Sequence, residues 1–297
     1  MTKRSIFPVL LLSAGLLFGA QNPVPDSLRD LAKLKQDSNP ARLEALQKML
    51  REREIPYELQ TFESKASPHG RTRGTNLIVT FGKGPREITL GAHYDALELP
   101  GRGMVDGMID NGAAAIILVR VAEALKGRDL RHRVRVVFFD MEETGLVGSH
   151  AYVAAQKPEI DAAIILDIAG LGKDALIYGF GKAAGTDRVK ESLLMSCAQQ
   201  LLPCIDSANY PASDDRSFQN ANIPVVSIAM GPRLILYQFW LMLNGGENSG
   251  LEKGFMPPIF TVIHSPEDNI SKIDPIALDL EYKLVLDTVL KLDATPE

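Results

Sequence analysis

Hydrophobic and polar positions follow two different periods along the chain, and the pattern predicts strands alternating with helices. Short runs rich in β-branched and apolar residues, such as 75–82 and 132–140, are typical of strands. Apolar positions recur at helical spacing in 110–127 and in the amphipathic stretch 274–292. Several predicted strands are apolar on both faces, which is typical of a parallel sheet covered by helices on both sides. We therefore predict a single α/β domain with a mostly parallel, twisted mixed sheet.

The same pattern places the remaining elements. Further strands are predicted at 57–63, 86–93, 161–170 and 223–230, and further helices at 145–156 and 186–202. Residues 21–73 form an N-terminal part with two helices that separate near Ser38 and Asn39, because Pro40 suits a first helical turn. Residues 231–264 fit neither period well. We predict that this segment is a lid-like loop within the domain 21–297.

The first residues have the composition of a secretory signal peptide. Lys3 and Arg4 precede an apolar run that extends to Ala20 and contains Pro8. The run is shorter than a typical transmembrane helix and is interrupted by proline. We predict a signal peptide at 1–20, no stable membrane anchor after its cleavage, and export to the periplasm or the extracellular space.

The composition of the chain restricts the classes of protein and partner that it fits. The chain is 45% hydrophobic, which supplies ample material for a large core, and its net charge is −5. It contains no block of lysine and arginine of the kind that tracks phosphates, so we predict no nucleic-acid partner. Cys197 and Cys204 are a disulfide pair in an oxidising compartment, or otherwise two buried thiols, and do not by themselves make a structural zinc site.

Acidic residues and histidines follow the predicted strands at or near their carboxyl ends, where sheets of this kind bind ligands. The residues concerned are His93, Asp95, Asp110, Glu142, Glu143 and Asp167, with His264 after the long segment. Each residue alone has an ordinary structural explanation, such as a helix N-cap for Asp110. Burying the carboxylates together would cost several kcal/mol per unpaired ion unless a cation compensates them. Histidines among carboxylates, without thiolates, indicate a catalytic zinc site.

The motifs that contain these residues match a known family in their order and spacing. They are GAHYDA (91–96), DNGAAA (110–115), FFDMEETGLVGS (138–149), ILDIAG (165–170), SDDRSFQNANIPVVSI (213–228) and IHSPEDNI (263–270). Over 75–297 the chain resembles the zinc aminopeptidases of metallopeptidase family twenty-eight, whose relatives include glutamate carboxypeptidases, glutaminyl cyclases and the transferrin receptor. The resemblance implies a zinc-exopeptidase fold of the phosphorylase/hydrolase-like kind.

The resemblance also implies a cofactor of two zinc ions per chain and a role for each site residue. His93 and Asp167 would bind one ion, Glu143 and His264 the other, and Asp110 would bridge both. This arrangement accounts for the paired glutamates, because Glu143 is held by metal charge.

Glu142, next to Glu143, would remain free as the general acid and base, and Asp95 would orient the ring of His93. Asp106 is a rival for the bridging position, but the start of a helix at DNGAAA favours Asp110.

The chain departs from the family pattern at two positions. Asp215 stands where the family often has a histidine, and Ile263 where some relatives have a tyrosine. Tyr237, Phe239 and Trp240 either line an apolar pocket for a substrate side chain or are plain packing.

By resemblance, the leading hypothesis is a secreted aminopeptidase that acts on peptides with a free N-terminus. The alternatives are a glutaminyl cyclase-like acyltransferase with a single zinc ion, and a catalytically dead binding protein on the same scaffold. The uninterrupted EETGLVGS stretch and the complete ligand set favour the peptidase. A serine hydrolase is disfavoured because the chain lacks a G-x-S-x-G elbow. The sequence leaves the oligomeric state open.

Overall fold

The structure is a computed structural model that describes residues 25–64, 71–99, 101–156, 159–179 and 183–295. The predicted signal peptide, 1–20, lies outside the described residues, so export stays a prediction. Among the described residues, no helix combines the length and the apolar character that a membrane crossing requires.

The strands of the described residues are β1 (Glu58–Glu63), β2 (Arg73–Phe81), β3 (Glu87–His93), β4 (Glu98–Leu99), β5 (Gly103–Met104), β6 (Arg133–Phe139), β7 (Ile160–Leu166), β8 (Asp174–Tyr178), β9 (Cys204–Ser207) and β10 (Val225–Gly231). Eight of them join in one sheet with the order β1-β2-β6-β3-β7-β10-β8-β9, while β4 and β5 form a separate hairpin. The central strands β6, β3, β7 and β10 run parallel, and β2 and β8 flank them antiparallel. This arrangement confirms the predicted mixed, mostly parallel α/β sheet.

Helices cover both faces of the sheet, as predicted. They are α1 (Asp26–Ala32), α2 (Asn39–Glu52), α3 (Ala113–Leu125), α4 (Val147–Gln156), α5 (Thr186–Gln199), α6 (Asp215–Asn220), α7 (Arg233–Asn244), α8 (Ile259–Val262) and α9 (Pro275–Ala294). The group α3, α5 and α9 packs on one face together with α1 and α2, and α4 and α6 pack on the other face.

The central strands are mostly apolar, and both of their faces are largely buried. Every residue of β3 and of β10 is buried. Along β6, Phe138 enters the core on the α3 side while its neighbour Phe139 packs on the α4 side against Tyr152 and Phe218. A strand with two buried faces reads as a continuous apolar run, which is why these strands could be recognised in the sequence.

The segment 231–264, predicted to be a lid-like loop, is partly helical. It contains α7 and the short α8, with an irregular connection between them. The loop prediction is wrong for α7, because its buried residues Leu236 and Phe239 pack against Leu176 and Tyr178 of β8. Strands β8 and β9 and helix α6 were not predicted either. They are short, so they show little periodicity.

The two cysteines are joined. Cys197, near the end of α5, and Cys204, at the start of β9, form a disulfide with a Cα–Cα distance of 6.2 Å. The structure therefore confirms the predicted pairing over the alternative of two buried thiols. The disulfide ties α5 to the edge strand of the sheet.

Glu281 on α9 is a fully buried carboxyl group, and we predict that it makes stability depend on pH. Burial raises the pKa of Glu281 well above its ordinary value of 4.5, and the Gly170 amide opposes this shift only in part. The folded state then holds the proton at pH values where the unfolded state has lost it, so the free energy of unfolding falls as pH rises above about 4.5. Glu281→Gln, which is neutral at every pH, is expected to raise the free energy of unfolding at pH 8 by more than about 1 kcal/mol.

Urea unfolding at pH 5 and pH 8 checks this expectation. The gain should shrink at pH 5, and Glu191→Gln, an exposed glutamate on α5, should change neither value. An equal gain at both pH values would show that ionisation of Glu281 is not the cause.

Candidate functional site

The acids and histidines singled out in the sequence meet at one edge of the sheet. His93 ends β3, Asp167 directly follows β7, and the two glutamates follow β6. Asp110 lies in the turn Met108–Gly112, where the backbone of Asp110 and Asn111 is not helical and the peptide bond between them is cis, and His264 follows α8. Parallel strands place their carboxyl ends at the same edge, which explains why residues distant in sequence converge here.

Asp110 occupies the centre of the cluster. Its Oδ1 lies 3.1 Å from Nε2 of His93, and its Oδ2 lies 3.1 Å from Nε2 of His264. The His264 nitrogen is also 3.2 Å from Oε2 of Glu143, and the His93 nitrogen is 3.7 Å from Oδ1 of Asp167. One carboxylate therefore faces both histidines, and each histidine has a second acid beside it.

The cluster contains two groups of three side chains, and within each group the potential ligand atoms all lie within 4.8 Å of one another. The first is His93, Glu142 and Asp167, and the second is Asp110, Glu143 and His264. Glu142 thus approaches the first group as closely as a ligand would, although the resemblance implied a free general base at that position.

The hydrogen-bonding state of His93 tests whether the cluster fits a cation. Its Nδ1 lies 3.1 Å from the main-chain oxygen of Asp95, which only accepts, so Nδ1 carries the hydrogen. Nε2 is buried and makes no hydrogen bond with any described residue, yet it faces two carboxylate oxygens. A lone pair opposite those oxygens is repelled unless a cation lies between them. Imidazole and carboxylate donors without thiolates suit zinc at a catalytic site, so the residues present fit that metal.

The protein's own charges shift the pKa values of the cluster strongly. Burial lowers the pKa of His93, but Glu142 and Asp110 outweigh burial and raise it well above its ordinary value. Hydrogen bonds to Asp110 and Glu143 raise the pKa of His264 to about 10. Burial and the neighbouring Asp110 raise the pKa of Glu143 to about 7. The site thus attracts positive charge, either as protons or as metal.

Asp110 itself shifts in the opposite direction. Burial raises its pKa, but the adjacent imidazole rings of His264 and His93 outweigh burial, so the pKa of Asp110 is lowered. Asp110 is the carboxylate of the cluster that both imidazole rings hold in its ionised form.

Asp95 acts on the site mainly through the paired glutamates. Its carboxylate accepts hydrogen bonds from the main-chain N–H groups of Glu142 at 3.1 Å and of Glu143 at 3.3 Å. Its Oδ1 is 3.6 Å from Nδ1 of His93, farther than its own main-chain oxygen. The predicted orientation of the ring therefore comes from the main chain of Asp95, while its side chain fixes the loop that carries both glutamates.

Left-handed backbone occurs at three non-glycine residues of the site. Met141 precedes Glu142 with φ 60°, Ile168 follows Asp167 with φ 65°, and His264 itself has φ 59°. Each such residue costs about 1–3 kcal/mol and persists only where the surroundings impose it. This conformational cost therefore falls at the positions where the backbone directs the acids and His264 toward the cluster.

Two buried acids that the sequence analysis did not single out also belong to the site. Asp268 accepts hydrogen bonds from the main-chain N–H groups of Met108, Ile109 and Asp110 at 2.9, 2.6 and 3.1 Å. Asp214 is fully buried, and burial raises its pKa to about 7. Both residues lie inside motifs already recognised, IHSPEDNI and SDDRSFQNANIPVVSI, which is the signal that could have identified them.

Three other residues weighed in the sequence have structural roles. Asp106, the rival for the bridge, accepts a hydrogen bond from Lys35 Nζ at 2.8 Å. Asp215 begins α6 and accepts from Gln219 Nε2 at 2.6 Å. Ile263 is buried and lines the cavity at the site.

A cavity of about 510 Å³ opens above the cluster. Its lining combines the acids and His264 with apolar side chains, which include Leu146, Ile168, Tyr210, Phe239, Phe260 and Ile263. Of the three aromatic residues considered in the sequence, Phe239 lines this cavity. Tyr237 is 53% exposed on α7, and Trp240 donates its indole N–H to the main-chain oxygen of Asp206 at 2.9 Å. A larger open groove of about 840 Å³ lies elsewhere, beside α1, and its charged side chains include the ion pairs Asp30–Arg53 and Arg120–Asp279.

The fold and the cluster together define an α/β protein with a candidate metal site at the carboxyl ends of its strands. The sequence profile of peptidase family M28 matches residues 76–289, and the chain belongs to that family. Leucine aminopeptidase 2 of Trichophyton equinum is 24% identical over 211 residues, which is 67% of this chain and 40% of that protein. The chain thus spans less than half the length of this relative.

Solved structures share the fold. BSAP, a zinc aminopeptidase from Bacillus subtilis, superimposes with a TM-score of 0.58 at 20% identity and covers 75% of this chain and 51% of its own. A glutaminyl cyclase from Fimbriiglobus ruber superimposes with a TM-score of 0.69 at 15% identity and covers 89% of this chain and 93% of its own. At these identities the similarity establishes the fold, and the reaction has to be argued from the site.

Proposed function

We propose that the protein is an exported zinc aminopeptidase that hydrolyses apolar N-terminal residues from peptides. The observation that carries the proposal is the placement of Asp110 between His93 and His264, with Asp167 and Glu143 beside them. Membership of peptidase family M28 and the resemblance to leucine aminopeptidases support the reaction class.

The residues that would hold two zinc ions are the ones implied by the resemblance. His93 and Asp167 would bind one ion, Glu143 and His264 the other, and Asp110, which lies between the two histidines, would be shared by both. When bound, zinc at such a site supplies Lewis-acid polarisation of the scissile carbonyl and lowers the pKa of water.

Glu142 would move the proton during hydrolysis. The residue is half-buried and lines the cavity, and its main chain is fixed by Asp95. Burial raises the pKa of Glu142 well above its ordinary value, and Asp167 and Asp214 raise it further against the opposing effect of His93. A glutamate with a raised pKa can take a proton from water and return it to the leaving amine near neutral pH.

The mixed lining of the cavity favours a substrate with a free N-terminus and an apolar first residue. The acids would attract the positively charged α-amino group, and the apolar lining residues, among them Tyr210, Phe239 and Phe260, would bury the side chain. Burial of an apolar side chain contributes about 1.5–3 kcal/mol, which is enough to select apolar over polar residues.

Export is the second part of the proposal. The composition of 1–20 and the disulfide between Cys197 and Cys204 both support it, since disulfides persist in oxidising compartments. An exported protein whose N-terminus begins near Gln21 is the expected result of N-terminal sequencing, and retention of Met1 would contradict it.

A panel of peptides tests the reaction. Peptides with a free apolar N-terminus should lose one residue at a time, N-acetylated versions should resist, and a zinc chelator should abolish release. A peptide that begins with glutamine separates the alternatives, because cyclisation releases ammonia and leaves the chain length unchanged. Zinc binding without turnover on any peptide would favour a binding protein.

Metal stoichiometry adds an independent check. Two zinc ions per chain under saturating conditions are expected, whereas a single ion would favour the cyclase-like alternative. Failure to bind zinc at all would overturn the proposal.

A further inference from the structure

Arg42 on α2 is a fully buried arginine whose hydrogen bonds all go to main-chain carbonyl groups. Its guanidinium donates to the oxygens of Leu34 at 3.2 Å, Tyr94 at 2.6 Å, Asp106 at 2.6 Å and Gly107 at 3.1 Å. Burial lowers the pKa of Arg42 to about 10, against the opposing effects of Asp95 and Asp268, so the side chain stays charged at neutral pH.

These acceptors lie next to the residues of the proposed metal site. Tyr94 directly follows His93, and the carbonyls of Asp106 and Gly107 begin the turn that presents Asp110. Asn39, one helical turn before Arg42, adds two bonds, donating to the oxygen of Ala96 at 3.1 Å and accepting from its N–H at 2.8 Å. We call Asn39 and Arg42 the α2 clamp.

The turn before Asp110 is thereby held from two sides. Arg42 of the α2 clamp donates to the carbonyls of 106–107, and Asp268 accepts from the amides of 108–110. Asp268 also belongs to the motif that carries His264, so each side connects the turn to another part of the site. A buried ionised arginine costs several kcal/mol in desolvation, and a neutral apolar residue could supply packing alone.

We propose that Asn39 and Arg42 are positioning residues that preorganise His93, Asp95 and Asp110 for metal binding. The inference rests on the proposed zinc site. It extends that site to residues outside the span 76–289 matched by the family profile. Helix α2, in the N-terminal part of the chain, would then contribute to metal binding by holding the ligands in place.

Arg42→Lys tests the geometry of the guanidinium group separately from its charge, because lysine keeps the positive charge. A lysine cannot reproduce the planar fork that reaches several carbonyls at once. Zinc affinity, measured by competition with a chelator on the full chain, is expected to fall about 10–100-fold, as for other residues that orient metal ligands. Asn39→Ala should lower the affinity by a smaller factor, and it decides the question if Arg42→Lys does not fold.

Arg53→Met is the matched control. Arg53 ends the same helix and pairs with Asp30 of α1 and Glu123 of α3, away from the site. The control should lower thermal stability and leave zinc affinity at the wild-type value. An equal loss of affinity in Arg53→Met would reduce the effect of Arg42→Lys to general destabilisation and overturn the inference.

The two proposals fail in distinguishable ways. Wild-type zinc affinity in Arg42→Lys, or in Asn39→Ala where the first variant does not fold, overturns the positioning role and leaves the proposed function intact. A wild-type protein that binds no zinc overturns the proposed function itself.

Discussion

Glu142→Gln is expected to lower kcat by about 10²–10⁴-fold, the usual contribution of a general acid and base, while zinc content stays at the wild-type value. Glutamine has nearly the same shape but cannot accept a proton from water. The loop should keep its place, because Asp95 binds the main chain of residue 142 rather than its side chain. Activity on a peptide with an apolar N-terminus and metal analysis of the same sample measure both parts of the prediction.

Glu143→Gln is the matched comparison, since the two glutamates are adjacent and share the support of Asp95. Glu143 Oε2 lies 3.2 Å from His264 Nε2, so this variant should lose zinc as well as activity. Glu142 also lies within 4.8 Å of the ligand atoms of His93 and Asp167. Equal zinc loss in both variants would make Glu142 a ligand and refute its role as the base.

The parts of the fold that could be predicted are those that leave a pattern in a short stretch of sequence. The central strands could be predicted because two buried faces produce continuous apolar runs, and α2 because Pro40 fits its first turn. Helix α7 was missed because its sequence, 233–244, is dominated by apolar residues, and a mostly apolar run does not by itself distinguish a helix from a strand or a buried loop.

The site was predictable for a different reason. Residues that follow parallel strands must meet at one edge, and this constraint brought His93, Asp167 and the paired glutamates together. The resemblance implied the central position of Asp110, and the start of a helix at DNGAAA favoured it over Asp106. Asn39 and Arg42 were not foreseen, because bonds from a side chain to distant main-chain carbonyls leave no spacing or composition signal in the sequence.

Asp110→Asn is expected to abolish tight binding of both zinc ions, whereas Asp167→Asn should lose only one. The Asp110 oxygens face His93 and His264 at 3.1 Å each, so a single side chain serves both halves of the proposed site. Asparagine offers one neutral oxygen in place of two charged ones and carries an N–H donor at the other position, so neither ion keeps a charged ligand at residue 110. The affinity should therefore fall by more than the roughly 10–100-fold typical of residues that only orient ligands.

Zinc stoichiometry and chelator competition measure this difference between the two variants. Asp106→Asn is the control, because Asp106 lies on the same turn but pairs with Lys35, and it should bind two ions as tightly as the wild type. Two tightly bound ions in Asp110→Asn would show that this carboxylate is not shared between metals. The assignment of Glu143 and Asp167 to two different zinc ions would then lose its support, because it depends on Asp110 contacting both His93 and His264.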